Sequence, residues 1–237
     1  MKKIILCCFF ALLFFVLGAL NHCEEYRHLD GLALQSGADK ASNYHNYTEV
    51  YAQYFAPFKE RPIKFLEIGI FQGNSVKLWE SYFAQADLHF IDITFAAVQY
   101  FSKRSHYHLA NQENPLDLEI VAREAGGNFD IILDDGGHTM NMQIVSFQTL
   151  FPHLKSGGMY IIEDLHTSYW PSHGGGGDKT TISFLKGLID ELNFVGNHTT
   201  RASHRNLEPS LLNSLSQYQR EIASIHFYDS LAIIIKR

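Results

Sequence analysis

Residues 63–84 read IKFLEIGIFQGNSVKLWESYFA. The run 63–70 is apolar and short, which predicts a buried strand, and 74–84 brings Val76, Trp79 and Phe83 near one face of a helix. Gly69 and Gly73 lie between the two, where glycines let the backbone turn sharply and approach a ligand closely. The free N–H groups of the following helix start can face that ligand.

The same alternation continues downstream. DLHFIDI (87–93) predicts a second strand, 95–103 a helix, and SHYHLA (105–110) a short third strand. PLDLEIVAREA (115–125) predicts a helix with proline in its first turn, FDIILD (129–134) a fourth strand, and 140–154 another helix. SGGMYIIED (156–164) is a turn leading into a fifth strand, 180–194 a helix, and IHFYDSLAIIIKR (225–237) a terminal strand pair. Strands spaced by helices predict a doubly wound, mostly parallel α/β sheet, which binds ligands at the C-terminal strand ends. The suggestive residues sit at those ends: Glu67 and Gly69, Asp92, Asp134 and Asp135, Glu163 and Asp164.

Asp92 ends the second strand, where a carboxylate can accept both hydroxyls of a ribose. The loop at 69–73 is not G-x-G-x-x-G, which argues against a dinucleotide. FDIILDDGGH (129–138) ends an apolar run in two acids, two glycines and a histidine, an expensive way to finish a strand that needs only burial. Asp135 follows the fourth strand and Glu163-Asp164 the fifth, so their oxygens can converge on a hard cation such as Mg²⁺. On this reading Asp135 and Asp164 hold the metal, Glu163 is a further ligand or a partner behind them, and His138 is the general base. The plainer alternatives are a helix-start histidine bonded to backbone, and an Asp134 that caps the following helix or touches the adenine side. His166, Tyr169 and Trp170 are candidates to line an acceptor pocket, and Gly174–Gly177 suggest a mobile lid.

A glutamate in the first strand, a loop without a phosphate cradle and an acid ending the second strand resemble the class I S-adenosylmethionine-dependent methyltransferases. SGADKASNYHNYTEVYAQYF (36–55), LEIGIFQGNSVKLWESYF, FDIILDDGGHTMNMQ and LFPHLKSGGMYIIEDLHTSY narrow the resemblance to the metal-dependent macrolide sugar O-methyltransferases of the mycinamicin type. The resemblance covers roughly residues 36–170, with DDGGH and IEDLHTSY as its specific part. It implies a Rossmann-like fold, S-adenosylmethionine and Mg²⁺ as cofactors, and a sugar or small-molecule hydroxyl as acceptor. Carried onto this chain, it places Glu67, Gly69 and Gly73 near the methionine portion, Asp92 on the ribose, and Gln112 and Asp134 among the cofactor contacts. The metal would rest on Asp135, Glu163 and Asp164, and His138 would be the base. Ala110-Asn111-Gln112 departs from the Gly-Asp-Gln of many relatives, and nothing after Gly177 carries the family's signature. Relatives of this kind often assemble, so a homo-oligomer is carried as an expectation.

The 237 residues, 46% hydrophobic, suit one domain with small additions. The expected division is a leader over 1–23, a helical extension over 24–60 and the sheet domain over 61–237. Net charge of −6, with no dense basic block in the body, argues against nucleic acid as partner. Lys2 and Lys3 followed by an apolar run to Leu20 predict a signal peptide or membrane anchor, hence a secretory or membrane-tethered protein. A misassigned start codon would instead make the protein cytoplasmic and remove the conflict with a cytosolic methyl donor. All three cysteines, Cys7, Cys8 and Cys23, lie in or beside this leader, so residues 24–237 hold no disulfide and no cysteine metal site. Two other classes stay open on sequence alone: a fold relative with a hydroxylase-like activity, and a non-catalytic exported binding module.

Overall fold

The computed structural model describes residues 21–200 and 207–237. The leader expected over 1–23 lies outside the described residues except for 21–23, which are helical. Among the described residues no helix is long and apolar enough to cross a membrane.

The described chain falls into two compact units. The first takes in residues 21–62, 73–86 and 100–102, so it includes the helix after the first strand as well as the expected extension. Its helices are α1 (21–36), α2 (Tyr47–Phe55) and α3 (Asn74–Tyr82). Aromatic side chains build its core: Tyr51 stacks on Phe55 at 4.7 Å, and Trp79 meets both edge-on. Tyr51, Phe55, Trp79 and Phe83 are fully buried, as the helical spacing of Trp79 and Phe83 predicts. Asp30 ties α1 to the next segment, accepting hydrogen bonds from Ser42 N and Oγ (both 2.7 Å) and from Thr48 Oγ1 (2.9 Å).

The second unit contains a seven-stranded sheet of order β3-β2-β1-β4-β5-β7-β6. Its parallel strands are β1 (Lys64–Ile68), β2 (Asp87–Asp92), β3 (Ser105–Leu109), β4 (Phe129–Asp134) and β5 (Leu154–Ile162). β6 (Ile222–Tyr228) and β7 (Leu231–Lys236) form the expected terminal pair, antiparallel to each other, with β7 antiparallel to β5. All six residues of β4 are buried, which is why its sequence is a nearly unbroken apolar run rather than an alternating one. Strand order reverses between β1 and β4, so the switch point lies where the suggestive loops emerge.

Within this unit α4 (Pro115–Glu124), α5 (Met140–Leu150) and α6 (Thr181–Leu192) pack on one sheet face. Each begins at a polar cap: Asn114, Thr139 and Thr180 accept from Leu116 N, Met142 N and Ser183 N. Leu66 and Ile68 face this helical core together with Ile132, Leu150 and Leu185, so by alternation Phe65 and Glu67 lie on the opposite face.

Two expectations fail locally. Residues 95–103 are not helical. Thr94 Oγ1 takes the amide of Ala96, and Gln99 N donates to Gln72 O at 3.0 Å, so bonds from outside the segment replace the helical ladder. The helix expected over 140–154 stops at Leu150, where Pro152 supports a short 3-10 turn, and β5 begins at Leu154.

Candidate active site

The loop leaving β4 is fixed first by what lies beneath it. Asp134 is fully buried, and its carboxylate accepts from Gln112 Nε2 (2.6 Å), Tyr160 Oη (3.3 Å) and the hydroxyl of Ser146. Burial pushes its carboxyl up to about 6, opposed by the Ser146 bond, the His138 charge, Gly136 N and Gln112. The other end of the Gln112 amide accepts from Gly137 N at 3.0 Å. A Cβ on Gly136 would lie 2.1 Å from Gln112 Oε1, so only glycine lets the loop sit this close. Asp134 and Gln112, both predicted among the cofactor contacts, thus hold each other and prop the DDGGH turn from inside. Thr139, not Asp134, caps the following helix.

That turn meets the glycine loop after β1. Gly69 has φ +87°, and a Cβ there would lie 2.0 Å from the backbone oxygen of Asp135. Asp135 N donates to Ile68 O at 2.9 Å, closing the contact from the other side. At the end of β2, Asp92 Oδ2 accepts from Ile70 N (3.0 Å) and Phe71 N (3.3 Å), and its Oδ1 from Thr94 N (3.0 Å). Asp92 therefore shapes the loop: Oδ2 is filled by its two amide donors, and Oδ1 keeps a further lone pair for a ligand hydroxyl. Phe71 and Ile93, beside it in sequence, are 70% and 62% exposed, large apolar surfaces at a strand end that a flat base could cover. Glu67 is fully buried in β1. Gly73 caps the N-terminus of α3 and belongs to the first unit.

Asp135, His138 and Asp164 come together: one ligand atom from each lies within 4.8 Å of the others. All three are partly exposed, open to an ion from solvent. His138 Nε2 is 3.5 Å from Asp164 Oδ2, whereas its Nδ1 is buried without a hydrogen-bond partner among the described residues. It is not the backbone-bonded histidine of the plainer alternative. His138 (φ +56°) and Asp164 (φ +57°) both take the left-handed conformation that side chains seldom adopt, strain that packed surroundings must hold in place. Thr167 supplies part of that hold, its hydroxyl lying 3.0 Å from His138 O and 2.8 Å from Asp164 O. Glu163 is buried next to Asp164 and is not one of the three converging groups. The two carboxylates, Asp135 and Asp164, offer oxygen ligands that fit a hard divalent cation, and the His138 imidazole beside them is placed for acid–base work rather than for ligation.

Several supporting residues escaped the sequence reading. Ser146 is a hydroxyl on the buried face of α5, and Thr167 sits inside IEDLHTSY, but a polar residue in an apolar pattern does not reveal which distant carboxylate or carbonyl it meets. Gln143 is buried and donates to Glu163 O at 2.8 Å. Beyond Asp164, Tyr169 and Trp170 are exposed, and the Trp170 ring meets His166 edge-on at 4.5 Å. The glycine run expected as a lid is bound into a turn, Gly175 N donating to Trp170 O and Gly176 N to Ser168 O, both 2.9 Å.

No protein-family model matches the chain. It is 37% identical over 219 residues to 8-demethyl-8-alpha-L-rhamnosyl tetracenomycin-C 2'-O-methyltransferase of Streptomyces olivaceus, covering 88% of this chain and 54% of that protein. It is 31% identical over 204 residues to mycinamicin VI 2''-O-methyltransferase of Micromonospora griseorubida, covering 81% and 48%. Among solved structures, the MycE methyltransferase of mycinamycin biosynthesis in complex with Mg and SAH superimposes with a TM-score of 0.77 at 29% identity, over 88% of this chain and 54% of that one. The chain thus spans about half the length of the relatives it matches.

Proposed function

We propose that this chain, which has the class I methyltransferase fold and resembles the mycinamicin-type sugar O-methyltransferases, is an S-adenosylmethionine- and Mg²⁺-dependent O-methyltransferase acting on a hydroxyl of a sugar or glycosylated small molecule. The observation that carries the proposal is the convergence of Asp135, His138 and Asp164 beside the Gly69 loop. Both relatives are O-methyltransferases by name, the first of a rhamnosyl compound, and the similar structure was solved with Mg and SAH.

In this reading Asp135 and Asp164 hold the metal, with Glu163 behind them. Gly69, Asp92 and the exposed faces of Phe71 and Ile93 receive the methyl donor, while Gln112 and Asp134 act by fixing the loop. When bound, the metal would make an acceptor hydroxyl more acidic and the sulfonium donor would supply the methyl group. His138 takes the hydroxyl proton as the oxygen–methyl bond forms and the carbon–sulfur bond breaks. Asp164, 3.5 Å from its Nε2, orients the ring. Tyr169 and Trp170 offer an exposed aromatic surface on which a glycosylated acceptor can rest. Export or tethering by the leader belongs to this proposal on the strength of the sequence alone, and self-assembly on the strength of the resemblance alone.

The test is methyl transfer from S-adenosylmethionine to a panel of glycosylated polyketides, with Mg²⁺ and with EDTA. Transfer that needs Mg²⁺ and is lost in Asp135→Asn is the expected result. Metal-independent transfer, or transfer unaffected by that substitution, would overturn the metal assignment.

A further inference from the structure

The other end of the sheet carries a second group of metal-ligating side chains, which the reading above does not use. Strand alternation puts Asp87 and His89 on one face of β2, and His106 and His108 on one face of β3. The parallel register sets His89 directly beside His106. The two rings stack at 4.7 Å, and ligand atoms of Asp87, His89 and His106 all lie within 4.8 Å of one another. His89 Nε2 is 3.2 Å from Asp87 Oδ2, and His106 Nε2 is 3.3 Å from Asp87 Oδ1. Two ligands of a tetrahedral zinc ion, each roughly 2.0–2.1 Å from the metal, are about 3.3 Å apart.

The hydrogen bonding behind His89 points the same way. His89 Nε2 is buried and has no well-aligned hydrogen-bond partner among the described residues, although the Asp87 carboxylate is so near. Its Nδ1 is 3.1 Å from His108 Nε2, and His108 Nδ1 is 4.0 Å from the Glu124 carboxylate. If His89 carries its proton on Nδ1 and donates to His108, then His108 carries its own on Nδ1, towards Glu124. That arrangement leaves the His89 Nε2 lone pair facing a carboxylate oxygen, two acceptors that a cation between them would reconcile. Metal-binding histidines commonly give their second ring N–H to an acceptor behind them, a place that His108 takes for His89.

We propose that Asp87, His89 and His106 form a binding site for a first-row divalent cation of zinc type, which fastens the edge strand β3 to β2. Two imidazoles and one carboxylate suit zinc better than Mg²⁺, which prefers oxygen ligands alone. The site lies about 10 Å (His89) to 16 Å (Asp87) along β2 from Asp92, at the usual rise per residue, so its role is to hold the sheet edge rather than to take part in methyl transfer. It does not depend on the proposed activity.

The experiment is calorimetric titration of the full chain with Zn²⁺, together with melting curves, for the wild type, Asp135→Asn, His106→Gln and Asp87→Asn. His106 and Asp87 are substantially exposed, so their replacement leaves the fold intact. The expected result is one Zn²⁺ bound equally well by wild type and Asp135→Asn, weakened at least tenfold in the other two, with a zinc-dependent rise in Tm only where it binds. Unchanged zinc affinity in His106→Gln and Asp87→Asn, zinc binding lost only with Asp135, or no zinc binding by the wild type would each overturn the proposal.

Discussion

Gly69 and Asp135 occupy the same few ångströms: a Cβ on the glycine would lie 2.0 Å from the aspartate's backbone oxygen. The loop expected to receive the methyl donor and the turn expected to hold the metal are therefore packed backbone against backbone. Gly69→Ala must both leave a φ of +87° and push Asp135 aside. A left-handed alanine alone costs about 1–2 kcal/mol. The expected outcome is a lowered Tm with at least tenfold weaker binding of both S-adenosylmethionine and Mg²⁺ by calorimetry.

His138 and Asp164 can be separated by what each loses. His138→Gln should retain binding of S-adenosylmethionine and Mg²⁺ while kcat falls roughly 10²–10⁴-fold, the usual range for a lost general base. Asp164→Asn should weaken Mg²⁺ binding, and raised Mg²⁺ should restore part of the turnover. Full turnover in His138→Gln would remove the base assignment.

Asp134 gives stability a pH signature. Its carboxyl is held at about 6 by burial, above the ordinary value of 3.8. The folded chain then keeps the proton more tightly than the unfolded one, so this group's contribution falls as pH rises from about 4 to about 6 and is flat above. With Mg²⁺ chelated, the stability of wild type relative to Asp134→Asn should drop by on the order of 3 kcal/mol across that window. Denaturant melts at a series of pH values would show it, and a difference independent of pH would contradict it.

In the first unit, Asp30→Ala leaves three donors from Ser42 and Thr48 without their acceptor. The loss should be on the order of 2 kcal/mol, read as a lower denaturation midpoint. Asp30→Asn, which keeps one acceptor, should recover part of it.

The parallel strands were legible because β1, β2 and β4 are largely apolar runs of strand length, with β2 and β4 ending in Asp92 and Asp134 at the ligand side of the sheet. DDGGH was legible because two acids, a pair of glycines and a histidine are an expensive way to end a strand that needs only burial. The helix expected at 95–103 was not, since the bond from Gln99 N to Gln72 O is made across sequence. The same limit hid the work of Asp134 and Gln112: both were marked by type and position, but that they bind each other depends on how β3 and β4 lie in the sheet. Gly69 was marked as a ligand-approach glycine, yet the neighbour that requires its small size is the Asp135 backbone.

The most direct measurement is isothermal titration of the full chain with S-adenosylmethionine, with and without Mg²⁺. Saturable binding of one S-adenosylmethionine per chain, weakened at least tenfold by Gly69→Ala, is the expected result. No binding in either condition by the folded wild-type chain would contradict the assignment of the strand ends to methyl transfer.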